Sequence, residues 1–171
     1  MTAAELVVRS PSEADVEAFL AAVARSTELH DPWVQPPADG GAFRAYVERT
    51  RSASQRGYFG WVGDDLVGVA NLNEIIRGAF QNAFLGYYGF TPMAGRGLMR
   101  QLLARVLDDA FGAVGLHRVE ANVQPGNDRS RALVASLGFR LEGFSPAYLR
   151  IAGDWRDHER WALLADEWRG G

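Results

Sequence analysis

Cysteine and lysine are both absent from this chain of 171 residues. Without cysteine there are no disulfides, no thiolate metal ligands and no thiol nucleophile. Without lysine, a Schiff-base mechanism and the Gly-Lys-Ser/Thr phosphate-binding loop are excluded. All 18 basic residues are arginine, and the formal net charge of −3 implies no general affinity for nucleic acid.

Long hydrophobic segments are missing as well. No apolar run approaches the ~20 residues of a membrane span, and the chain does not open with a basic segment and an apolar core, so neither a membrane partner nor secretion is expected. The three histidines are scattered, which gives no metal site. The length and the ordinary apolar content predict a single domain over residues 1–171, and we expect it to be cytoplasmic.

The most informative segment spans residues 85–114. An apolar, aromatic run predicts a buried strand, and a turn containing Gly95-Arg96-Gly97 follows it. A helical stripe comes next, formed by Leu98, Met99, Leu102, Leu103, Val106, Leu107, Ala110, Phe111 and Val114. The amides in the first turn of a helix lack partners, and glycine lets a phosphate approach them, so the pattern predicts a phosphate site where this helix begins.

Two common phosphate-binding fingerprints do not fit this turn. The lysine of the Walker loop is absent, and Arg100 occupies the position of the third glycine in the dinucleotide motif G-x-G-x-x-G. Taken alone, Gly-x-Gly before a helix fits an ordinary strand-to-helix turn equally well.

Hydrophobic periodicity outlines the rest of an α/β fold. Strands are predicted at residues 6–9, 58–62, 66–75, 83–90, 118–123, 139–142, 147–151 and 157–164. A capping box at residues 10–13 predicts a first helix, with an apolar face of Ala14, Ala18, Phe19, Ala22 and Val23. Two more helices are predicted around residues 43–50 and from Asn127 or Asp128 to Gly138.

Several short motifs then occur in a characteristic order. They are residues 67–72, residues 77–80, the glycine turn, Asn127-Asp128-Arg129-Ser130, Leu137-Gly138-Phe139 and residues 148–158. Together they resemble the GNAT superfamily of acetyl-CoA-dependent N-acetyltransferases, and within it the Rim-type ribosomal-protein alanine N-acetyltransferases, closest to the RimJ-like branch. The resemblance implies a GNAT fold: a mixed twisted central sheet of six to seven strands, with splayed central strands and helices on both faces.

The resemblance also implies that acetyl-CoA is the cosubstrate, that no metal is needed, and that the cofactor binds where the central strands splay. Phe90 and Thr91 would offer backbone hydrogen bonds to the pantetheine arm. The pyrophosphate would lie against Gly95, Arg96, Gly97, Leu98 and Met99. Asn127 and Ser130 would hold the pantetheine or lie near the thioester, and Arg131 would reach a CoA phosphate.

Most of these side chains also have a plain structural interpretation. Asn127 suits a helix cap, Ser130 is a first-turn residue, and Arg96 and Arg131 are equally typical of solvated arginines. Ala94 stands where the family usually has Gln or Arg, and we therefore expect weaker CoA binding without its loss.

Acetyl transfer needs an aligned neutral amine, donors for the oxyanion and a proton for the departing thiolate. The oxyanion donor is expected among the backbone N–H groups of residues 90–92. Ser130 and Tyr148 are the candidates that protonate the thiolate. Glu74, at a strand end, is the candidate base, with a turn carboxylate paired to Arg77 as the alternative.

Other residues near the predicted site favour structural roles. Leu149 stands where some relatives carry a glutamate that is implicated in catalysis. The resemblance therefore gives weaker grounds for assigning a catalytic base in this chain. Asp157 and His158 match a family pair that suits a hydrogen-bonding element at a strand end. His30 and His117 look non-catalytic, and Tyr87 is interpreted as an aromatic core residue.

The acceptor class follows from amine basicity. An α-amine has a pKa near ~8 and is roughly one-tenth neutral at pH 7, whereas a lysine side chain near ~10.4 is almost fully charged. We therefore expect the N-terminus of a protein as acceptor, which agrees with the ribosomal proteins of the family. A small amine such as an antibiotic or amino acid, and a CoA-binding module without turnover, stay open as alternatives, as do monomer and homodimer.

Overall fold

Residues 5–171 are described by the computed structural model, in which seven strands form one sheet in the order β1-β2-β3-β4-β5-β7-β6. The strands are β1 (Leu6–Arg9), β2 (Arg56–Val62), β3 (Asp65–Ile76), β4 (Asn82–Gly89), β5 (Arg118–Val123), β6 (Arg140–Ile151) and β7 (Asp154–Leu164). Neighbouring strands pair antiparallel except β4 and β5, which run parallel. The sheet is therefore mixed, as expected.

Five α-helices accompany the sheet within the described residues. They are α1 (Val16–Ala24), α2 (Thr27–His30), α3 (Gly40–Arg49), α4 (Leu98–Phe111) and α5 (Asp128–Ser136). Helices α1 and α3 pack on one face of the sheet through Phe19 and Phe43, and α4 packs on the opposite face through residues such as Leu102. None of the helices in residues 5–171 combines the length and the apolar character of a membrane span.

The first helix begins later than the sequence predicted. Ser12, and not Ser10, is the N-cap, and its N–H donates to Asp15 Oδ2 at 2.8 Å. Arg9 also holds the Asp15 carboxylate, and residues Glu13–Asp15 form a 3-10 turn before α1. The predicted apolar face is correspondingly narrower, because Ala14 and Ala18 are exposed.

Strand β6 corrects a second prediction. The two short strands expected at residues 139–142 and 147–151 are one continuous strand, paired along its length with β7. The register shifts after Leu141 and again after Ser145, and Ala147 adopts a left-handed φ of 48° with its N–H bonded to Asp157 Oδ1. These two bulges broke the apolar alternation that the sequence analysis relied on.

Candidate active site

The parallel strands β4 and β5 separate soon after they meet. Their pairing covers Asn82–Phe84 on β4 and Arg118–Glu120 on β5. Beyond these residues β4 stays paired with β3 as far as Gly89, and β5 stays paired with β7 as far as Val123. Each strand therefore turns an unpaired edge toward a wedge between their carboxyl ends, which we call the strand opening. The prediction of splayed central strands is confirmed.

The first turn of α4 adjoins this opening. Helix α4 follows the glycine turn directly, and Gly97 is its N-cap with a φ of 75°. Gly95 also has a left-handed φ, of 80°, and an added Cβ at either glycine would meet no atom within 4 Å. Open space above two glycines lets a bulky anion reach the amides of the first turn, where the helix dipole is positive.

Helix α4 lacks the side-chain N-cap that α3 and α5 have; α1 and α2 lack one too. In α3, Asp39 Oδ1 accepts from the Ala42 N–H at 2.9 Å, and in α5, Asn127 Oδ1 accepts from the Ser130 N–H at 3.2 Å. No side chain among the described residues caps α4. Its leading amides, at Leu98 and beyond, are therefore left for a ligand, in agreement with the predicted phosphate site.

The side chain of Met99 anchors this first turn to the sheet. An added Cβ at Gly68 of β3 would overlap Met99 Sδ, and one at Gly89 of β4 would lie 3.2 Å from Met99 Cγ. Met99 is thus packed over two strands, and only its amide faces the predicted phosphate. Arg96 is exposed, and its side chain forms no hydrogen bond or ion pair within residues 5–171, so it remains available to an anion.

The N–H groups expected to bind the pantetheine or the oxyanion already have partners inside the protein. The Phe90 N–H donates to Val67 O at 2.9 Å, and the Thr91 N–H donates to Ser26 Oγ at 3.0 Å. Pro92 has no N–H. Because N–H direction alternates along a strand, the Phe90 bond to β3 implies that Gly89 and Tyr87 turn their N–H groups toward the opening. The N–H groups left free at the opening are therefore those of Gly89 and Tyr87, whereas those of Phe90 and Thr91 are engaged within the protein.

Helix α5 brings Ser130 to the opening. Ser130 Oγ lies 2.5 Å from Oη of Tyr87, so this hydrogen bond joins α5 to β4 beyond the point where β4 leaves β5. Burial raises the pKa of Tyr87 to about 12, with the Ser130 hydrogen bond opposing it. The sequence analysis placed Tyr87 in the core, and the polar contact was missed because its partner is distant in the chain.

Arg131 has protein partners in place of a free guanidinium. Its Nε lies 3.0 Å from Oε2 of Glu159 on β7, and its Nη1 lies 3.1 Å from Oδ1 of Asp128. The buried Glu159 also accepts from Trp161 Nε1 at 3.0 Å. Arg131 therefore ties α5 to the sheet in this structure, and the expected phosphate contact is not supported by its geometry.

The other two catalytic candidates lie apart from Ser130. Glu74 is exposed, has a left-handed φ of 48° and forms no ion pair among the described residues. It follows Asn73, which pairs with Phe84, so it lies at the closed end of the strand opening. Arg77 does not pair with it and donates to Val114 O at 2.5 Å.

Tyr148 belongs to β6, the outermost strand, and β7 separates that strand from β5. Its ring centroid lies 6.1 Å from that of His158. No hydrogen bond among the described residues joins Tyr148 to Ser130.

Residues 30–33 bridge the far side of the opening. His30 is 4% exposed, and its Nε2 donates to the Gly89 carbonyl at 2.8 Å. Trp33 O accepts from Gln124 Nε2 at 3.2 Å, and the Trp33 ring packs on Gly126 in the turn after β5. Burial lowers the pKa of His30, which favours the neutral ring. This segment spans from β4 to β5 and forms a wall on the side away from α4.

Nowhere in residues 5–171 do three potential ligands among His, Asp and Glu cluster as a metal site would need. Two surface hollows, one beside Arg51 and Arg56 and the other beside Trp61, lie away from the strand opening.

Comparison with known proteins relates this chain to acetyltransferases. A family model described as an acetyltransferase (GNAT) domain matches residues 5–140. The chain is 32% identical, over its full length and 93% of the relative, to the [ribosomal protein uS5]-alanine N-acetyltransferase of Escherichia coli.

Solved structures give the same picture. RimJ of Mycobacterium smegmatis, in complex with CoA-disulfide, is similar with a TM-score of 0.88 and 28% identity, covering 95% of this chain and 83% of that one. The ribosomal-protein-S5-alanine acetyltransferase of Vibrio fischeri is similar with a TM-score of 0.84 and 25% identity, covering 96% and 95% of the two chains.

Proposed function

Since this chain belongs to the GNAT acetyltransferase domain family, we propose that it acetylates the N-terminal α-amine of a protein, and that this protein is ribosomal. The chain is an acyltransferase that uses acetyl-CoA. The full-length match to an enzyme named for uS5 alanine acetylation carries the acceptor assignment. A ribosomal acceptor places the reaction in the cytoplasm.

The structure supports the cofactor half of the proposal through the uncapped first turn of α4. Its amides and dipole suit the diphosphate, and the strand opening beside it offers backbone edges to the extended pantetheine arm. The amide groups of Tyr87 and Gly89 are the oxyanion donors we now favour, because their direction follows from the β3–β4 register. Direct attack by the amine on the thioester needs no covalent enzyme intermediate.

The acceptor half is supported by the chemistry of α-amines. About a tenth of α-amino groups are neutral at pH 7, so a weak base or a water chain completes deprotonation. Glu74 at the closed end of the opening is the candidate base, and its exposed carboxylate has no ion-pair partner in the described residues. A base of ordinary strength suffices for an N-terminus and serves a lysine side chain poorly.

The direct test is CoA release with a panel of acceptors. The panel contains a peptide with an N-terminal alanine and one internal lysine, the same peptide with its N-terminus already acetylated, spermidine, an aminoglycoside and free alanine. We expect turnover with the first peptide and mass spectrometry to place the acetyl group on its α-nitrogen. The blocked peptide is the matched control, because it retains the lysine amine.

Each other result has a distinct meaning. Turnover with only the small amines would overturn the protein acceptor and keep the acetyltransferase. Acetyl-CoA binding detected by calorimetry with no turnover on any amine would leave a binding module. Failure to bind acetyl-CoA would contradict the α4 site itself.

A further inference from the structure

We propose that Tyr87 is a positioning residue for Ser130, and that their paired hydroxyls serve to protonate the CoA thiolate as it leaves. The inference rests on the proposed acetyl transfer and deepens it by selecting the proton donor. It also gives a function to a tyrosine that sequence reasoning assigned to the core.

The geometry of the pair is the first argument. Tyr87 Oη lies 2.5 Å from Ser130 Oγ, at the short end of the range for O–H···O hydrogen bonds. Tyr87 follows Phe84, the last β4 residue paired with β5, so the two hydroxyls meet across the strand opening. A pantetheine arm lying along the free edge of β4 passes this hydrogen bond.

The direction of the hydrogen bond is the second argument. Ser130 O is the other acceptor near Tyr87 Oη, but it lies 3.5 Å away, at the limit of a hydrogen bond. The Tyr87 proton is therefore better directed to Ser130 Oγ. Ser130 Oγ has no other partner among the described residues, so its own proton is free to point into the opening.

Rigidity is the third argument. The Ser130 N–H donates to Asn127 Oδ1, and Arg131 next to it is bonded to Glu159 of β7. The backbone of Ser130 is thus fixed by a helix cap and by the sheet, and Tyr87 fixes its side chain. A donor held in one position loses little entropy when the sulfur arrives.

The proton balance follows from this arrangement. The C–N bond forms as the amine attacks, and the C–S bond breaks as the tetrahedral intermediate collapses. Ser130 Oγ gives its proton to the sulfur, while the Tyr87 hydroxyl stays protonated and stabilises the charge that develops on Oγ. The proton lost by the amine nitrogen returns to Ser130 through solvent water, so the net reaction moves one proton from nitrogen to sulfur.

The test compares Tyr87→Phe, Ser130→Ala and the double variant with the intact chain. Tyr87→Phe is expected to lower kcat about tenfold, the effect of one ordinary hydrogen bond, and Ser130→Ala about a hundredfold, as for loss of a general acid. The KM for acetyl-CoA should stay nearly constant in both. The double variant should resemble Ser130→Ala, because the tyrosine acts through the serine.

Tyr58→Phe is the matched control. The Tyr58 hydroxyl also forms a 2.5 Å hydrogen bond, to Asp109 Oδ2 in the last turn of α4, at the other end of that helix from the glycine turn. Both tyrosine variants lose one buried hydroxyl contact, so both should lower the melting temperature by a similar amount. Only Tyr87→Phe should lower kcat.

A change of leaving group separates proton donation from general structural damage. With an acetyl arylthioester, whose more acidic thiol leaves as the free anion, the deficits of Tyr87→Phe and Ser130→Ala in kcat/KM should nearly disappear. Equal deficits with both acyl donors, or a kcat for Tyr87→Phe equal to that of Tyr58→Phe, would overturn the inference while wild-type turnover upheld the proposed function. Absence of wild-type turnover with every amine would overturn both.

Discussion

Arg131 of α5 and Glu159 of β7 form an ion pair, with Nε of the arginine 3.0 Å from Oε2 of the glutamate. Glu159 lies opposite Val123, the last residue of β5 that pairs with β7. The ion pair therefore fixes the first turn of α5 beside the strand opening. A residue expected to hold a CoA phosphate instead holds the helix that carries Ser130.

Replacing Arg131 by Gln should therefore lower the melting temperature and leave CoA affinity almost unchanged. The buried Glu159 would keep only its bond from Trp161. Arg129→Gln is the control, because Arg129 lies on the same helix, is exposed and has no ion pair among the described residues. Calorimetry of CoA binding at low and high salt checks this prediction. A salt-dependent loss of CoA affinity in the Arg131 variant alone would show that Arg131 contacts a CoA phosphate after all.

Substituting Gly97 by Ala should weaken CoA binding about tenfold, or ~1.4 kcal/mol. A methyl group at the α4 N-cap crowds the approach to the first-turn amides, and the left-handed φ of 75° adds backbone strain. Gly115→Ala is the matched control, because Gly115 has a φ of 73° and equally open surroundings but lies outside the site. Both variants should lose similar stability; equal CoA affinities in the two would contradict an anion site at α4.

The stability of the protein should fall as the pH drops below about 6.5, partly through His30. Burial lowers the pKa of His30 from its ordinary 6.5, and the hydrogen bond to the Gly89 carbonyl offsets this only in part. The unfolded chain then takes up this proton at a higher pH than the folded protein. The corresponding stability is complete above the unfolded value and is lost as the pH falls toward the folded one.

Chemical denaturation at about pH 7.5 and about pH 5.5 measures this effect. His30→Gln keeps an N–H donor for the Gly89 carbonyl and has no titrating group, so its loss of stability between the two conditions should be smaller. His117→Gln, at an exposed position, should behave like the unchanged protein. An identical loss of stability in the His30 and His117 variants would show that His30 does not contribute to the pH dependence.

Restoring the family's donor at position 94 should tighten CoA binding. Ala94 is half-buried in the turn before α4, and its N–H donates to Phe90 O at 3.0 Å, which fixes its place beside the phosphate site. Ala94→Gln should raise CoA affinity about tenfold, as one added hydrogen bond to a charged group would. Ala113→Gln, an exposed change beyond the end of α4, is the control; no gain at position 94 would mean that the amides alone set the affinity.

The parts of this fold that depend on local pattern were predictable. The stripe from Leu98 to Phe111 matches α4, and the alternation at Val119, Ala121 and Val123 matches β5. The bulges of β6 were not predictable, because an irregular strand has the same sequence pattern as two strands and a loop. The phosphate site at α4 remains a prediction, which rests on two glycines and one helical period.

The polar partners in the site were much less accessible to sequence reasoning. Tyr87 and Ser130 touch only because β4 and α5 converge, and Arg131 finds Glu159 only because β7 inserts between β5 and β6. Such contacts depend on strand order and register, which no short motif contains. Glu74 was chosen for its position at a strand end and Tyr148 for the acidity of its hydroxyl, and both stay predictions.

Past Phe84 and Glu120, β4 and β5 expose hydrogen-bonding edges that no strand within residues 5–171 pairs with. The pantetheine arm of the acetyl donor is an extended chain with two amide groups, and we expect it to bind there as an added peptide binds at a sheet edge. The bound acetyl donor then completes the hydrogen bonding of the central sheet. The melting temperature of the protein should therefore rise as the concentration of the acetyl donor increases.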